Sequence, residues 1–388
     1  MAPREFLRDF WEQRPLVVRR SKPDYFAELL SLDDVDRVLT TLDRRYPDVL
    51  VKRAGSEILP ADYTTNGSTL DVAKLYQLFE EGATLTLAFL DTVLPNLERL
   101  CREVESELSM PLQANVYLTP PKEQGAKVHY DTHDVFVLQV SGSKHWTIYD
   151  APLALPLSGQ AFDPDLHRPG SPTHEFELGA GDVLYIPRGW LHEARATDAT
   201  SLHITAGVLR YTWTDLLLEV VARVALETPA FRSSLPVGFA REGFDRTTAR
   251  ETLRNLLLEL NAKADSDAAL DHFIARFIAD CPPLLRGQLG QLDALKALTL
   301  ESMLGARPGA VHRLHREGSK VTVELHGRRV TFPAHVAEAL EFALAQARYR
   351  LRDLPGSLDE AGRLTLARRL IREGLIWALP PLRAPADS

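Results

Sequence analysis

VHYDTHDVFVLQVSGSKHWTIYD, Val128 to Asp150, decides how the rest of the chain is read. It is rich in β-branched and aromatic residues, and His129, Asp131 and His133 recur at every second position. Side chains two residues apart in a strand share a face, so all three would line one side of a β-element. At a rise of about 3.3 Å per residue, neighbours on that face lie roughly 6.6 Å apart, and His129 and His133 roughly 13 Å apart. Imidazole nitrogens must approach a divalent metal to about 2.0–2.1 Å. His129 and Asp131 can therefore converge on one ion, whereas His133 could join them only by closing the coordination face. A distant residue is expected to complete the site.

The best candidate lies in GDVLYIPRGWLHEA, Gly181 to Ala194. Gly181-Asp182 reads as a turn, VLYIP as a strand, Pro187 to Trp190 as a second turn, and His192 opens the next strand. Two imidazoles and one carboxylate leave three positions free, an arrangement suited to Fe(II) with a cosubstrate and O₂. Structural zinc prefers a closed tetrahedral shell. His-X-Asp alone is common by chance, and reads more readily as a hydrogen-bonded core histidine beside a turn or cap aspartate. The GDxxxxPxxxxH stretch that follows makes the combination much more specific. Lys144, after the Ser141-Gly142-Ser143 turn, could hold the far carboxylate of 2-oxoglutarate as a point charge inside a barrel. A solvated lysine at a strand edge is the competing reading.

The surroundings fit a barrel. Residues 1 to about 110 read as mixed α/β. From Asn115 to Val208 the chain becomes short alternating strands separated by Gly, Pro and Asp: NVYLTP, DVFVLQVSG, KHWTIYD, HEFELGAGDVLYIPRG and SLHITAGV. That spacing predicts an all-β barrel or sandwich. Past Tyr211 the period turns helical, with stripes at Leu217-Val220-Val221-Val224, Leu253-Leu256-Leu257-Leu260 and Leu270-Phe273-Ile274-Phe277. These helices either pack on the barrel or form a dimer interface. Near the end, KVTVELHGRRVTF predicts a hairpin turning near Gly327, followed by a helix from about Ala334 to Arg348. Ser357 to Glu360 reads as a capping box before another helix, with Gly374 as its stop.

Composition narrows the class. At 388 residues, two or three domains are expected. No run of about eighteen apolar residues occurs, so no membrane span is expected. The start, MAPREFLRDFWEQRP, lacks the apolar core of a secretory signal. Cys101 and Cys281 are the only cysteines, which excludes a disulfide framework or a multi-cysteine zinc module and makes the cytoplasm the expected location. A net charge of −8 leans against nucleic acid as the main partner and permits a basic protein or peptide.

HYDTHDVFVLQVSGSKHW, with YIPRGWLHEA and SLHIT, resembles the JmjC-type cupin oxygenases of the ribosomal oxygenase group, which hydroxylate arginyl or histidyl residues of ribosomal proteins. The similarity extends from FWEQRPLVV near the start through the helical segment to the end. It implies an α+β chain in three parts. Residues 1–210 would be a double-stranded β-helix (jelly-roll) catalytic domain with an N-terminal α/β elaboration. Residues 211–300 would be a helical dimerisation domain, and 301–388 a winged-helix-like domain. The resemblance further implies that His129, Asp131 and His192 ligate Fe(II) and that Lys144 binds the 5-carboxylate of 2-oxoglutarate. Asn115, Tyr117 and Thr205 would line the cosubstrate pocket. Ordinary strand packing would equally place Tyr117 and Thr205, and His203 on the Thr205 face reads as a neighbour of the site or a core histidine. Arginine hydroxylases of the group carry arginine where Lys144 stands, so the lysine points toward the histidine-hydroxylase branch. His133 is expected beside the ligands or facing the substrate, with structural packing as the competing reading.

The implied activity couples O₂ and 2-oxoglutarate to hydroxylation of a protein side chain, with succinate and CO₂ released and a homodimer as the working form. Three alternatives stand beside it. One is a hydroxylase of a peptide natural product or small molecule. Another is a histone-type N-methyl-lysine demethylase, for which two cysteines cannot supply the usual zinc modules. The third is a non-enzymatic barrel whose mildly basic end, with 14 Lys+Arg against 10 Asp+Glu from Glu301 onward, contacts nucleic acid.

Overall fold

The structure is a computed structural model describing residues 2–379; residues 380–388 of the C-terminal segment lie outside the described residues. The chain divides into two compact units, Met1–Leu209 with Leu284–Gln288, and Arg210–Pro283 with Leu289–Ser388. No helix among the described residues is long and apolar enough to cross a membrane.

The first unit is built on ten antiparallel strands: β1 (Leu16–Val18), β2 (Val49–Lys52), β3 (Thr84–Leu87), β4 (Leu112–Thr119), β5 (Asp134–Ser141), β6 (Ser143–Tyr149), β7 (Pro172–Gly179), β8 (Val183–Ile186), β9 (His192–Ala196) and β10 (Ser201–Val208). A seven-stranded sheet runs β1-β8-β5-β10-β4-β3-β2, and a three-stranded sheet runs β9-β6-β7. The five strand segments expected between Asn115 and Val208 are all present.

Alternation along β4, β5 and β10 sorts their side chains between two cores. Leu112, Ala114, Val116 and Leu118 of β4, with Leu202, Ile204, Ala206 and Val208 of β10, join the larger core with the helices Leu32–Thr41, Val72–Glu80 and Pro95–Leu108. The opposite parity of β5, Val135 and Val137, packs with Leu184 and Ile186 of β8 against Trp146, Ile148 and Leu178 of the smaller sheet. The space between the sheets is therefore apolar at one end. Tyr117, His203 and Thr205 share the inner parity and face a cavity there.

One expectation about this region is corrected. Val128 to His133 is not a strand: regular pairing begins only at Asp134, and His129 makes an isolated bridge to His192. The alternation of polar residues mimics a strand, but its pairing with β9 stops at this single bridge.

In the second unit, the three apolar stripes fall on helices Trp213–Glu227, Thr247–Lys263 and Ser266–Asp280. Thr212 caps the first through a reciprocal capping box with Asp215. The hairpin Lys320–Leu325 and Arg328–Pro333 turns at His326-Gly327, and Arg313–Glu317 adds a third strand. The following helix is shorter than expected, Ala337–Ala345 after a 3-10 turn at Ala334–Val336. The last helix, Glu360–Arg372, is capped by Asp359, whose carboxylate accepts from the Gly362 N–H at 2.8 Å, and not by Ser357. A small sheet of Tyr349–Arg350, Met303–Ala306 and Ile376–Ala378 completes the core of this end.

Candidate metal centre

His129, Asp131 and His192 offer ligand atoms that all lie within 4.8 Å of one another. His192 opens β9, immediately after the Pro187–Trp190 turn, whereas His129 and Asp131 sit in the irregular approach to β5. The two segments are joined directly. His129 N–H donates to His192 C=O at 3.1 Å, and His192 N–H donates back at 2.8 Å. Gly189 N–H donates to the Asp131 carbonyl at 3.0 Å. Gly189 has φ +87°, and a Cβ there would fall 2.2 Å from the Leu153 carbonyl, so this turn requires glycine.

Each imidazole is oriented by its own backbone. Nδ1 of His129 lies 2.8 Å from the Lys127 carbonyl and Nδ1 of His192 lies 3.0 Å from the Trp190 carbonyl. A carbonyl accepts only, so Nδ1 carries the proton in both rings and Nε2 presents a lone pair. Nε2 of His192 is 3.7 Å from an Asp131 oxygen, and the two ring centroids are 4.6 Å apart. Burial, followed by the neighbouring His129, pushes His192 down to about 4, which keeps it neutral. The donor set therefore fits a divalent metal bound on one side.

The three groups line a cavity of about 110 Å³ that also holds Lys144. Lys144, Trp146 and Ile148 are the buried positions of β6 on one face, and Ile148 is the cross-strand partner of His192. Lys144 is 4% exposed, and its Nζ donates to Thr119 Oγ1 at 2.9 Å. Thr119 in turn lies 3.1 Å from the Thr84 hydroxyl. Among the described residues no carboxylate pairs with Lys144. Burial alone pushes it down to about 7. Tyr117 stacks on His203, with centroids 4.9 Å apart and planes 1° from parallel. Burial, then the Lys144 ammonium, holds His203 well below its ordinary value. His203 Nδ1 and Trp146 Nε1 are buried without a hydrogen-bond partner.

Behind the turn lies a buried ionic network. Arg188 donates to Asp134 Oδ2 at 2.8 Å and to Glu12, and the Tyr185 hydroxyl donates to Asp134 Oδ1 at 2.9 Å. Asp134 has no exposure and Arg188 has 6%. This network ties the segment carrying Asp131 to the turn that leads into His192.

Of the residues expected from the sequence, the structure brings His129, Asp131, His192, Lys144, Tyr117 and Thr205 to one cavity. Asn115 is not among its lining; its Oδ1 accepts from the Phe89 N–H at 3.2 Å and from Gln113 at 3.1 Å. His133 stands apart from the ligand cluster, its ring lying against Gly207, where a Cβ would come within 2.5 Å of it. Thr119, Thr84, Trp146 and the Arg188–Asp134 pair were not anticipated. Thr119 carried a signal, since it shares the strand parity of Asn115 and Tyr117.

The JmjC domain family matches residues 89–216, the stretch containing His129, Asp131 and His192. Ribosomal oxygenase 1 of Danio rerio is 30% identical over 434 residues, an alignment covering 98% of this chain and 78% of the relative. The chain belongs to the ribosomal oxygenase family. Ribosomal oxygenase 1 of Gallus gallus is 35% identical over 314 residues, covering 75% of this chain and 51% of that protein. This member of the ribosomal oxygenase family thus spans about half the length of the chicken relative. Among solved structures, YcfD, a ribosomal oxygenase from Escherichia coli in complex with cobalt and 2-oxoglutarate, superposes with a TM-score of 0.56. That alignment covers 98% of this chain and 99% of YcfD at 18% identity, a likeness of fold. The fold is the JmjC/cupin fold with helices and antiparallel sheets.

Proposed function

We propose that this chain is an Fe(II)- and 2-oxoglutarate-dependent oxygenase that hydroxylates a histidyl or arginyl side chain of a ribosomal protein. One observation carries the reading: a 2-His-1-carboxylate cluster and an unpaired buried ammonium line the same cavity. His129, Asp131 and His192 would hold the ion from one side and leave room for a cosubstrate, as this chemistry requires. Ferrous iron with 2-oxoglutarate and O₂ supplies the oxidising chemistry, releasing succinate and CO₂ and delivering one oxygen to a C–H bond.

The residues of this chain do the holding. His129 and His192 present Nε2, fixed by their Nδ1–carbonyl contacts, and Asp131 adds the negative charge. Lys144 receives the distal carboxylate of 2-oxoglutarate, with the Thr119 hydroxyl beside it. A buried cation without a counter-charge is costly, so an incoming carboxylate is strongly favoured there. Tyr117 and Thr205 border the same space, and the buried donor of Trp146 is available to a polar group in it. Val135, Val137 and Ile186 exclude water from the apolar end. Asn115 contributes from behind by holding Phe89.

On the same reading, residues 211–300 serve homodimerisation and 301–388 form a winged-helix-like domain. The exposed apolar side chains of helix Trp213–Glu227 support the first assignment. Two buried cysteines suit a cytoplasmic, reducing location.

The test uses the purified full chain with Fe(II), 2-oxoglutarate and total ribosomal protein. Succinate formation dependent on iron, together with a gain of one oxygen on a ribosomal peptide by mass spectrometry, is the expected result. No iron-dependent succinate overturns the oxygenase reading. Formaldehyde release from methyl-lysine peptides without a hydroxylated product reassigns the activity to demethylation.

A further inference from the structure

We propose that the segment between β6 and β7, residues 150–171, is the substrate-recognising wall of the site, and that Tyr130 is the positioning residue fixing it to the metal ligands. The proposal rests on the oxygenase reading above. A groove of about 900 Å³ shares Lys52, Gly125, Ala126 and His129 with the metal cavity. One side is formed by Val51 to Ile58, and the other by Phe162, Pro164, His167, Arg168 and Pro169. The second side belongs to a stretch of 22 residues without helix or strand. A long irregular segment inside a compact unit needs either its own fixings or a function.

The fixings lead straight to the metal ligands. Tyr130 lies between His129 and Asp131 in the chain and is 3% exposed. Its hydroxyl donates to the Gln160 carbonyl at 3.1 Å and lies 3.3 Å from that of Ala161. Its ring meets Phe162 edge-on at 5.4 Å and His167 at 5.5 Å. At a second point the Leu153 carbonyl lies against Gly189, in the turn preceding His192. One wall of the groove is thus held by the residue between two ligands and by the turn before the third. His167 lines that wall with its ring packed on Tyr130, so an imidazole borders the path of an incoming polypeptide. Because the reacting C–H must be placed to within about an ångström, a shift of the wall changes substrate binding before it changes the metal site.

The test compares wild type with Tyr130→Phe and His167→Phe in the full, iron-loaded chain, using total ribosomal protein as the probe. Tyr130→Phe removes the hydroxyl contacts and keeps the ring. It is expected to raise the half-saturating probe concentration about tenfold, with maximal rate and the KM for 2-oxoglutarate within about twofold. His167→Phe keeps an aromatic ring and loses the imidazole nitrogens, and a rise of about fivefold is expected. Unchanged half-saturation in both variants, or a shift confined to the KM for 2-oxoglutarate, overturns the inference while leaving the oxygenase reading intact. A wild type that forms no succinate overturns that reading, and the recognition wall with it. If the probe fails to raise wild-type turnover, the ribosomal target falls, and amide exchange over residues 152–168 decides the rest. Faster exchange in Tyr130→Phe supports the fixing; unchanged exchange overturns it.

Discussion

His129 and His192, 63 residues apart in the chain, exchange a reciprocal pair of backbone hydrogen bonds at 3.1 and 2.8 Å. The bridge is isolated, with no strand continuing it on the His129 side. Its effect is to set two imidazoles side by side before any ion arrives, so that binding orders few further torsions. Asp131 is held to the same frame through Gly189 N–H. A preformed site has a chemical signature: loss of one ligand should weaken metal binding without unfolding the chain.

Asp131→Ala is expected to lower Co(II) or Fe(II) affinity by more than the roughly 10–100-fold that loss of an outer partner costs. Its circular dichroism should match wild type. Titration with Co(II), followed by visible absorption, reads the affinity directly. An unchanged binding isotherm would remove Asp131 from the ligand set.

The burial that keeps His192 neutral also makes the metal-free protein acid-sensitive. In the folded chain this imidazole protonates near pH 4, in the unfolded chain near its ordinary value of about 6.5. Between those values the unfolded state binds more protons, so stability falls as pH falls, by up to about 3 kcal/mol. Above pH 6.5 the contribution is flat. Urea denaturation of metal-free wild type and His192→Gln at pH 7.5 and 5 should show a steeper loss in wild type. Equal losses would contradict the assignment.

Lys144 makes an opposite demand on pH. Burial pushes its ammonium down to about 7, yet a carboxylate partner needs it charged. Affinity for 2-oxoglutarate is therefore expected to fall above pH 7, approaching tenfold per unit, with a proton taken up on binding. Calorimetry in buffers of different ionisation enthalpy measures that uptake. Lys144→Ala leaves the carboxylate unpaired in a buried site, at a cost of about 3–5 kcal/mol. The corresponding loss is roughly a hundred- to several-thousand-fold in affinity. An unaltered requirement for 2-oxoglutarate in that variant would exclude the role.

Much of this site was legible because turns and alternation are local signals. Gly181-Asp182, Pro187 to Trp190 and Ser141-Gly142-Ser143 mark the starts of β8, β9 and β6, so the sequence alone places His192 and Lys144 on strands. Tyr117 and Thr205 are implied by the family resemblance, and their strand parity agrees with it. The misreadings arose where distant partners decide. His129, Asp131 and His133 alternate like a strand, but their backbone is held by His192 and Gly189 instead of a ladder. Asn115 has the right parity and sits too far along β4. Ser357 and Asp359 both carry cap chemistry, and the helix begins after the second. The Arg188–Asp134 pair, 54 residues apart, and the small sheet of two- to four-residue strands near the end leave no local trace at all.

That Arg188–Asp134 pair offers a separate test of how the ligand segments are held. Both side chains are almost fully buried, and Glu12 and Tyr185 complete their contacts. Removing one member of a buried pair typically costs about 3–5 kcal/mol, because the other charge is left uncompensated. Arg188→Ala should lower the urea midpoint accordingly, whereas Tyr185→Phe, losing one hydrogen bond, should cost about 1–3 kcal/mol. A double variant close to Arg188→Ala alone would show that the two act through the same carboxylate. Strict additivity would separate them.

The helices of the second unit make the last prediction. Trp213, Leu217 and Leu218 on helix Trp213–Glu227 are 80%, 61% and 63% exposed, and Leu253, Leu257 and Leu258 on helix Thr247–Lys263 are exposed as well. Scattered apolar residues on a surface need no explanation, but runs of leucine on two helices of one unit do. Covering each is worth about 1.5–3 kcal/mol at most, so several together can support a stable pairing against the cost of association. A second copy of the chain is the expected cover. Wild type should sediment as a dimer at micromolar concentration, and Leu217→Glu with Leu253→Glu should sediment as a monomer of unchanged helical content. A wild-type monomer at those concentrations would remove the dimerisation role of residues 211–300, and would leave the metal centre, which is built wholly within the first unit, untouched.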